Sequence, residues 1–298
     1  MAGRCGSSVR FTAHANRSGR RAKEEEGWSM QSKVEQRVKA ANRQFYDAVA
    51  DHYEEVDGRR SPVLEAWLRR RLSWLRRYAP GGRLLDLGTG SGFVTRCARG
   101  IFALRIGVDL SARILIQHQT AFDGGMAADV DALPFAAQQF DVVTCFAVLH
   151  HLYTFDGLVA EVARVLRTGG IFYSDHDMNA AFYRRFRLPL TLYRRLWYDA
   201  RTKYHRVNRQ ITPELYRFAE WQEEGIEVEP LVRLLEEAGF SVMTTFHWFG
   251  LTPITDTLFG QHTFTNGWAP LLSVIAVKGS RIPALWEEHL TADVTAVS

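Results

Sequence analysis

The chain has 298 residues and a formal net charge of +4, with 37 lysines and arginines against 33 aspartates and glutamates. This length allows one large α/β domain with additions. No apolar run approaches the roughly eighteen residues of a transmembrane helix. The three cysteines (Cys5, Cys97 and Cys145) are scattered, which excludes a disulfide framework or a cysteine metal site, and no metal is predicted. A reducing, cytoplasmic location follows as an expectation.

Residues 1–30 are predicted to form a disordered basic tail. They are rich in Arg, Ser and Gly, have no acid before Glu24, and show no sustained apolar periodicity. They also lack the apolar core of a secretory signal. A transit peptide and an extension upstream of a start at Met30 remain alternatives for this tail.

Residues 31–80 are predicted to form N-terminal helices of a domain that spans residues 31–279. In the first helix, apolar and aromatic positions recur at helical spacing, at Phe45, Tyr46, Val49, Ala50 and Tyr53. In the second, Ser61 and Pro62 form a helix start, and leucines and a tryptophan recur on one face down to Tyr78.

Three glycines at every second position follow the next predicted strand. Residues 83–93 read RLLDLGTGSGF, so that Asp86 precedes Gly88, Gly90 and Gly92. Glycine allows a tight turn and close approach to a ligand, and the following helix would direct its free N–H groups there. A dinucleotide fingerprint would need a third glycine at position 93 or 95, and a P-loop would need a lysine. Both families are therefore excluded by spacing.

A second strand over residues 105–111 is predicted to end at Asp109, next to Leu110. An acid about twenty residues beyond a glycine loop is placed to accept hydrogen bonds from ribose hydroxyls. The alternative is a helix N-cap, a role that Asp109 or Ser111 would fill equally well.

Two further stretches complete a recognisable order of motifs. Residues 126–135 read MAADVDALPF, and residues 140–152 read FDVVTCFAVLHHL, an apolar run typical of a strand covered on both faces. Together with the D-x-G-x-G-x-G loop, these motifs resemble the class I, S-adenosylmethionine-dependent methyltransferases of small-molecule type. The resemblance covers residues 45–177.

The resemblance implies S-adenosylmethionine as cofactor. The glycine loop would hold its methionine end, and an acid beside that loop suits the ammonium group. Asp129 and Val130 would meet the adenine, and the N-terminal helix would lie over the cofactor, unless its aromatics simply pack on the sheet. The predicted cofactor-binding residues are Tyr53, Asp86, Gly88, Gly90, Gly92, Asp109, Leu110, Asp129, Val130 and Phe146.

The remaining elements predict the fold class. A helix over residues 155–166 with a C-cap at 167–170 precedes a fifth strand at 171–174, and a helix at 228–237 precedes a strand pair at 241–248 and 271–278. The prediction is a doubly wound α/β fold: a seven-stranded, mostly parallel sheet with the last strand antiparallel and helices on both faces. Residues 280–298 are predicted to be a C-terminal extension.

Residues 178–225 are predicted to be an insertion that covers the acceptor as a lid. Within them, residues 178–210 contain nine lysines and arginines and one acid, interleaved with aromatics. This composition suits an aromatic or anionic acceptor or peripheral contact with a membrane surface. Ordinary packed amphipathic helices are the alternative. DNA binding is not expected, and RNA binding is disfavoured because no RNA-binding module accompanies the basic residues.

Methyl transfer needs alignment and, for weakly acidic acceptors, a base. The base candidates near strand ends are His150, His151, His176, Asp175 and Asp177. Histidine titrates near neutral pH, and His176 is the first choice as catalytic residue, followed by His151. For His150 and His151, structural packing or a cofactor contact is an equal alternative to catalysis.

The predicted function is O- or C-methylation of a small, lipophilic, aromatic or quinone-like acceptor. An RNA methyltransferase and a non-catalytic cofactor-binding module are the alternatives. The absence of an Asn-Pro-Pro-Tyr-type string after the fourth strand disfavours methylation of nucleobase or protein amines.

Overall fold

A computed structural model describes residues 12–53, 61–197, 204, 208–260, 262–282 and 286. The strands are Arg83–Leu87 (β1), Leu104–Asp109 (β2), Gly124–Ala127 (β3), Phe140–Phe146 (β4), Leu166–Met178 (β5), Phe240–His247 (β6) and Leu271–Lys278 (β7). The helices before β5 are Thr12–Val49 (α1), Pro62–Tyr78 (α2), Phe93–Cys97 (α3), Ala112–Gln117 (α4) and Asp156–Val165 (α5). Those after it are Ala180–Arg185 (α6), Arg187–Trp197 (α7), Pro213–Ala219 (α8), Val228–Glu237 (α9) and Pro253–Phe259 (α10).

The strands form one seven-stranded sheet in the order β3-β2-β1-β4-β5-β7-β6. Strands β1 to β5 pair in parallel, and β7 runs antiparallel to both of its neighbours, β5 and β6. The chain leaves β1 toward β2 on one side and returns to β4 on the other. Such a switch in strand order opens a crevice at the carboxyl ends of the strands, where ligands bind in open α/β sheets.

Apolar layers cover both faces of the sheet. One layer packs α5 and α9 against the strands, through residues such as Leu158, Val162 and Leu231. The other packs α2 and α3, through residues such as Leu68 and Phe93. The apolar run of β4 is buried on both sides, as its composition predicted. No helix in the described part of the chain is long and apolar enough to cross a membrane.

Helix α1 begins at Thr12, whereas the sequence predicted disorder to residue 30. Residues 22–26 are alanine, lysine and glutamate, all strong helix formers, which favours continuing the helix upstream without an apolar face. Residues 1–11 lie outside the described residues, as does most of the predicted extension at 280–298. Helix α2 begins as predicted, because the Ser61 hydroxyl accepts a hydrogen bond from the Leu64 N–H at 3.1 Å.

The predicted C-cap at 167–170 is wrong. Strand β5 starts directly after α5, and Leu166 pairs with Phe140 before the register shifts to Val142 and Ile171. Gly169 has a φ of 76°, and a Cβ at Gly170 would lie 2.8 Å from the Arg167 carbonyl oxygen. The two glycines therefore form an irregularity inside a strand rather than a helix end.

Among the described residues, the insertion after β5 forms helices α6, α7 and α8, while helix α1 supplies most of the side chains that cover the cavity. Val38, Phe45 and Val49 of α1 pack with Leu215 and Tyr216 of α8 in a separate apolar cluster. The described part of the insertion joins this cover through α8. A two-helix cover forms because α1 and α8 each bury an apolar face against the other.

Candidate functional site

The glycine loop leaves β1 in a conformation that favours glycine. Gly88, Gly90 and Gly92 have φ values of 62°, 52° and 78°. A Cβ at Gly88 would lie 2.5 Å from a methyl carbon of Val148, and one at Gly90 would lie 3.0 Å from the Tyr53 hydroxyl. The loop therefore forms a cradle that side chains would fill.

A cavity opens beside this loop, at the carboxyl ends of β1, β2 and β4 and beneath α1. It brings together all but one of the predicted cofactor-binding residues: Tyr53, Asp86, Gly88, Gly90, Asp109, Leu110, Asp129, Val130 and Phe146. The exception is Gly92, which directly precedes α3 and whose Cβ position would meet the side chain of Ala121 at 2.4 Å.

Two buried carboxylates flank the loop. Asp86 accepts hydrogen bonds from the hydroxyls of Thr89 at 2.8 Å and Thr144 at 2.7 Å. Burial raises the pKa of Asp86 to about 7, although these two hydrogen bonds oppose the shift. A cationic ligand group beside Asp86 would therefore favour its ionised form.

Asp109 ties the loop to the end of β2. Its carboxylate accepts from the Gly90 N–H and from the Ser111 N–H, both at 2.9 Å. Burial raises the pKa of Asp109 to about 6, against the pull of these hydrogen bonds. The Ser111 hydroxyl caps α4 at Ile114, so Ser111 fills the N-cap role that the sequence left open between these two residues.

The far end of the cavity carries an ion-pair cluster that the sequence did not reveal. The Lys39 ammonium of α1 lies 2.9 Å from Asp129, 2.6 Å from Asp131 and 3.1 Å from Glu35. Burial would lower the pKa of Lys39, but the hydrogen bonds that its ammonium donates to Asp131 and Asp129 outweigh burial and raise the pKa. Lys39 thus closes the cavity over Asp129. In the sequence, the only signs of this cluster are two acids after β3 and a lysine on a distant helix, and these do not predict that the three side chains meet.

His176 lies on the opposite wall, at the end of β5. Its Nδ1 lies 2.8 Å from Asp175, and its ring stacks on Phe146 with centroids 4.4 Å apart. Its φ of 68° is uncommon for a non-glycine residue and marks backbone strain. Its Nε2 is buried, and a Cβ at Gly250 would lie 2.5 Å from it.

Asp175 also binds a second histidine. His247 of β6 places Nε2 2.9 Å from the same carboxylate oxygen, and the Tyr173 hydroxyl donates to the other oxygen at 2.7 Å. Burial would raise the pKa of Asp175, but His247 and His176 outweigh it and hold the pKa well below its ordinary value. His247 was not predicted, because it lies on a distant strand.

The second predicted histidine, His151, lies where the chain leaves β4. Its Nδ1 lies 2.7 Å from the Ala219 carbonyl oxygen, and its Nε2 lies 2.6 Å from the Tyr46 hydroxyl. Burial, and then the charge of His150, lower the pKa of His151 to about 4. His151 is therefore neutral at physiological pH.

His150, its neighbour, is held as a cation. Its ring contacts Asp177 at 2.6 Å and Glu220 at 3.3 Å. Burial would lower the pKa of His150, but Glu220 and Asp177 outweigh it and raise the pKa to about 9. Of the predicted base candidates, Asp175 and Asp177 thus serve as partners of histidines.

Two groups of described side chains have the composition of metal ligands, namely His150, His151 and Glu220, and Asp175, His176 and His247. In both groups the contacts given above already connect ring nitrogens to carboxylates, a carbonyl or a hydroxyl. His151 is connected through both ring nitrogens, and Asp175 connects to one ring nitrogen each of His176 and His247.

The dense aromatic and basic stretch of the insertion contributes differently from the prediction. From the insertion, Tyr204 and Glu220 line the cavity. Phe182 and Phe186 instead contact Trp248 and Trp268, at centroid distances of 5.1 Å and 6.2 Å. These aromatics pack because tryptophans outside the insertion supply a partner surface.

Comparisons with known proteins agree with this geometry. Residues 85–174 match the model of a family described as a methyltransferase domain. The ubiquinone biosynthesis O-methyltransferase of Thiobacillus denitrificans is 35% identical over 123 residues, covering 38% of this chain and 53% of that protein. The enzyme of the same name from Aromatoleum aromaticum shows 35% identity over 123 residues with the same coverage. The chain thus spans about half the length of the curated relatives it matches.

Solved structures agree on the fold. A complex of the Haloferax volcanii Trm112 methyltransferase activator with a methyltransferase includes a chain with a TM-score of 0.50 and 18% identity, covering 81% of this chain and 99% of that one. The [4+2]-cyclase SpnF gives a TM-score of 0.50 and 18% identity, and the match covers 79% of this chain and 94% of the SpnF chain. At this identity the likeness concerns the fold alone.

The seven-stranded sheet, with β7 antiparallel to both of its neighbours, confirms the predicted fold class, and these solved structures share that fold. Within this fold, the match to the family described as a methyltransferase domain lies in residues 85–174, which include β2, β3 and β4. A methyltransferase domain needs a methyl donor, so this match supports the predicted cofactor, S-adenosylmethionine.

Proposed function

We propose that this chain transfers the methyl group of S-adenosylmethionine to a hydroxyl of a small aromatic, quinone-like acceptor. The observation that carries this proposal is one cavity with two chemically distinct halves. The donor half contains the glycine loop with Asp86 and Asp109, and the acceptor half contains aromatic rings with His151 and His176. The ubiquinone O-methyltransferase names of the curated relatives support this acceptor class.

The donor half offers a partner for each polar group of the cofactor. Asp86 would hold the ammonium of the methionine part, and Asp109 would accept from the ribose hydroxyls. Asp129 and the Val130 N–H would meet the adenine edge, with Lys39 above them. Gly88 and Gly90 give the loop room for close approach. When bound, the cofactor supplies an activated methyl group on a sulfonium.

The acceptor half suits a planar aromatic molecule. Its lining rings include Tyr46, Tyr53, Phe146, Tyr153 and Tyr204. Aromatic walls favour planar apolar ligands, and their hydroxyls provide a few polar contacts that fix orientation. The nearby carboxylates disfavour an anionic acceptor.

We assign the role of general base, which takes the proton of the acceptor hydroxyl, to His151. His176 lines the acceptor half of the cavity and is the second candidate for this role. The Nε2 of His151 faces the Tyr46 hydroxyl inside the cavity, whereas the Nε2 of His176 is buried under Gly250. A base must lie within hydrogen-bond reach of the proton it takes, directly or through one intermediary. His151→Asn is expected to lower the single-turnover rate by about 100-fold or more, and His176→Asn by less. The reverse order would assign the proton to His176.

We also propose peripheral contact with an anionic membrane surface through residues 178–210. Leu188 and Leu192 of α7 are 84% and 57% exposed. The Arg185 guanidinium lies 4.4 Å from the ring centre of Trp268, which is itself 52% exposed. Exposed leucine and tryptophan beside arginine suit the interface of a bilayer containing anionic lipid. Cosedimentation with phosphatidylglycerol vesicles is expected, and equal binding to phosphatidylcholine vesicles would contradict the charge component.

A methyl-transfer screen tests the proposed function. The full chain is incubated with tritiated S-adenosylmethionine and separate pools of phenols, quinols, fatty acyl compounds and RNA. Label in the phenol or quinol pool is expected. Label only in RNA would favour an RNA methyltransferase. Cofactor binding without label in any pool would favour a non-catalytic module.

A further inference from the structure

We propose that Tyr46 is a catalytic residue that relays the acceptor proton to His151. This role rests on the proposed methyltransferase function and adds to it the residue that touches the reacting hydroxyl. Tyr46 lies on α1 and His151 follows β4, 105 residues later, so their pairing is a property of the fold rather than of a local motif.

The hydrogen bonds of His151 fix which nitrogen carries the proton. The Ala219 carbonyl oxygen, 2.7 Å from Nδ1, accepts only, so Nδ1 must be the N–H. In the neutral ring, Nε2 then carries the lone pair, and the Tyr46 hydroxyl donates to it over 2.6 Å. A base is therefore ready, with a hydroxyl between it and the cavity.

The position of Tyr46 is fixed from two sides. One helical turn earlier, the Asn42 amide donates to the His151 carbonyl oxygen at 3.0 Å, which fastens α1 to the turn after β4. The Tyr46 ring lies 5.9 Å from the ring of Tyr53, which lies over Gly90 of the donor loop. Tyr46 thus stands between the donor loop and His151.

The charges around the pair suit a proton that arrives during reaction. Burial raises the pKa of Tyr46 well above its ordinary value, so its hydroxyl stays protonated at rest. The groups that face His151 are the His150 cation and the carboxylates of Asp177 and Glu220. The His150 cation lowers the pKa of His151 and the two carboxylates raise it, so a proton that reaches His151 is held only briefly.

Two proton transfers accompany the transfer of the methyl group. The acceptor hydroxyl proton passes to Tyr46 Oη while the Tyr46 proton passes to His151 Nε2. The acceptor oxygen bonds to the methyl carbon as the carbon–sulfur bond breaks, and that electron pair stays on sulfur. The positive charge lost from the sulfonium therefore appears on His151, which later releases its proton to water.

The kinetic test compares Tyr46→Phe with the matched variant Tyr53→Phe, using catechol and nitrocatechol as acceptor probes. Tyr46→Phe is expected to lower the single-turnover rate by about 100-fold with catechol, at unchanged cofactor affinity. Nitrocatechol, a stronger acid, should recover part of that loss because it needs less help in losing its proton. Tyr53→Phe should change cofactor affinity more than rate. A Tyr46→Phe rate within threefold of wild type would overturn the relay.

A second measurement does not depend on activity and separates this inference from the proposed function. Nitrogen-15 NMR follows the titration of His151 in wild type and in Tyr46→Phe. Losing a hydrogen bond to the neutral ring should raise the pKa of His151 and shift its Nε2 resonance. An unmoved His151 titration would overturn the relay even if neither catechol is a substrate. Absence of methyl transfer by wild type to any acceptor pool, with the NMR shift present, would count against the methyltransferase function alone.

Discussion

The donor half and the acceptor half of the cavity are built in different ways. In the donor half, Asp86, Asp109 and Asp129 all lie at or just after the ends of neighbouring parallel strands. The acceptor half combines α1, the turn after β4 and parts of the insertion, so Tyr46, His151 and Glu220 meet only through tertiary packing. One half is thus fixed by the sheet and the other by how two helices cover it, and variants of each half should fail in different measurements.

The largest expected effect is the loss of cofactor binding in Asp109→Ala. Two hydrogen bonds from ribose hydroxyls to a carboxylate contribute roughly 3–6 kcal/mol together. The cofactor dissociation constant should therefore rise by about 100-fold or more, measured by isothermal titration calorimetry. Asp123→Ala is the matched control, because Asp123 pairs with Arg105 outside the cavity lining. An equal loss in both variants would show general instability instead.

In the acceptor half, Gly250→Ala is expected to cause a large loss of protein stability. Gly250 has a φ of 88°, and its new methyl would lie 2.5 Å from His176 Nε2 and 3.0 Å from a methyl of Leu64. Backbone strain and overpacking together should lower the free energy of unfolding by about 2–4 kcal/mol. Gly100→Ala shares a positive φ, 78°, but meets nothing within 4 Å, so its loss should be about 1 kcal/mol. Equal losses in urea denaturation would show that His176 can move freely.

Asp86 should make cofactor binding depend on pH. Its pKa of about 7 in the free protein means that a cation beside it selects the ionised form and releases a proton. Affinity should therefore weaken by about tenfold from pH 8 to pH 6 in wild type. Asp86→Asn should bind more weakly at pH 8 and lose this slope. A slope unchanged by the substitution would place the titrating group elsewhere, for example at Asp109.

Without cofactor, the Asp86 carboxyl should make the protein less stable as pH rises, whereas cofactor affinity should increase with pH. Because burial raises the pKa of Asp86 above its unfolded value, the native state binds more protons between about pH 4 and pH 7. Stability without cofactor should thus fall as pH rises through this window and level off above it. Asp86→Asn should remove this fall in urea denaturation at several pH values. A variant less stable than wild type at pH 8 would contradict this reading.

The smallest effect is expected for Lys39→Met at the adenine end. Partly exposed ion pairs contribute about 0–1 kcal/mol, so the cofactor dissociation constant should change no more than about fivefold. The main change should be faster cofactor dissociation in stopped-flow experiments, with less dependence on salt. Lys33→Met, an exposed lysine of the same helix, is the control. Identical dissociation in both variants would show that Lys39 does not close the cavity.

The difference between the halves explains what the sequence could predict. The glycine spacing and the strand-end acids are local patterns, and parallel pairing brings such ends together at one edge. Lys39, Tyr46 and His247 act on residues far along the chain, and no periodicity specifies those contacts. The sequence predicted that the insertion, which is dense in aromatic residues, covers the acceptor as a lid. In the structure, Phe182 and Phe186 of the insertion instead pack against Trp248 and Trp268, which lie outside it. The part of α1 that lines the cavity, between Glu35 and Val49, lies in the N-terminal helix that the resemblance placed over the cofactor.

Calorimetric titration of the wild-type chain with S-adenosylmethionine tests the donor half most directly. We expect binding with a dissociation constant in the micromolar range and proton release below pH 7. Repeating the titration with Asp109→Ala should abolish the heat of binding. A wild-type chain that shows no binding, under conditions where its unfolding is cooperative, would contradict the assignment of this cavity to the methyl donor.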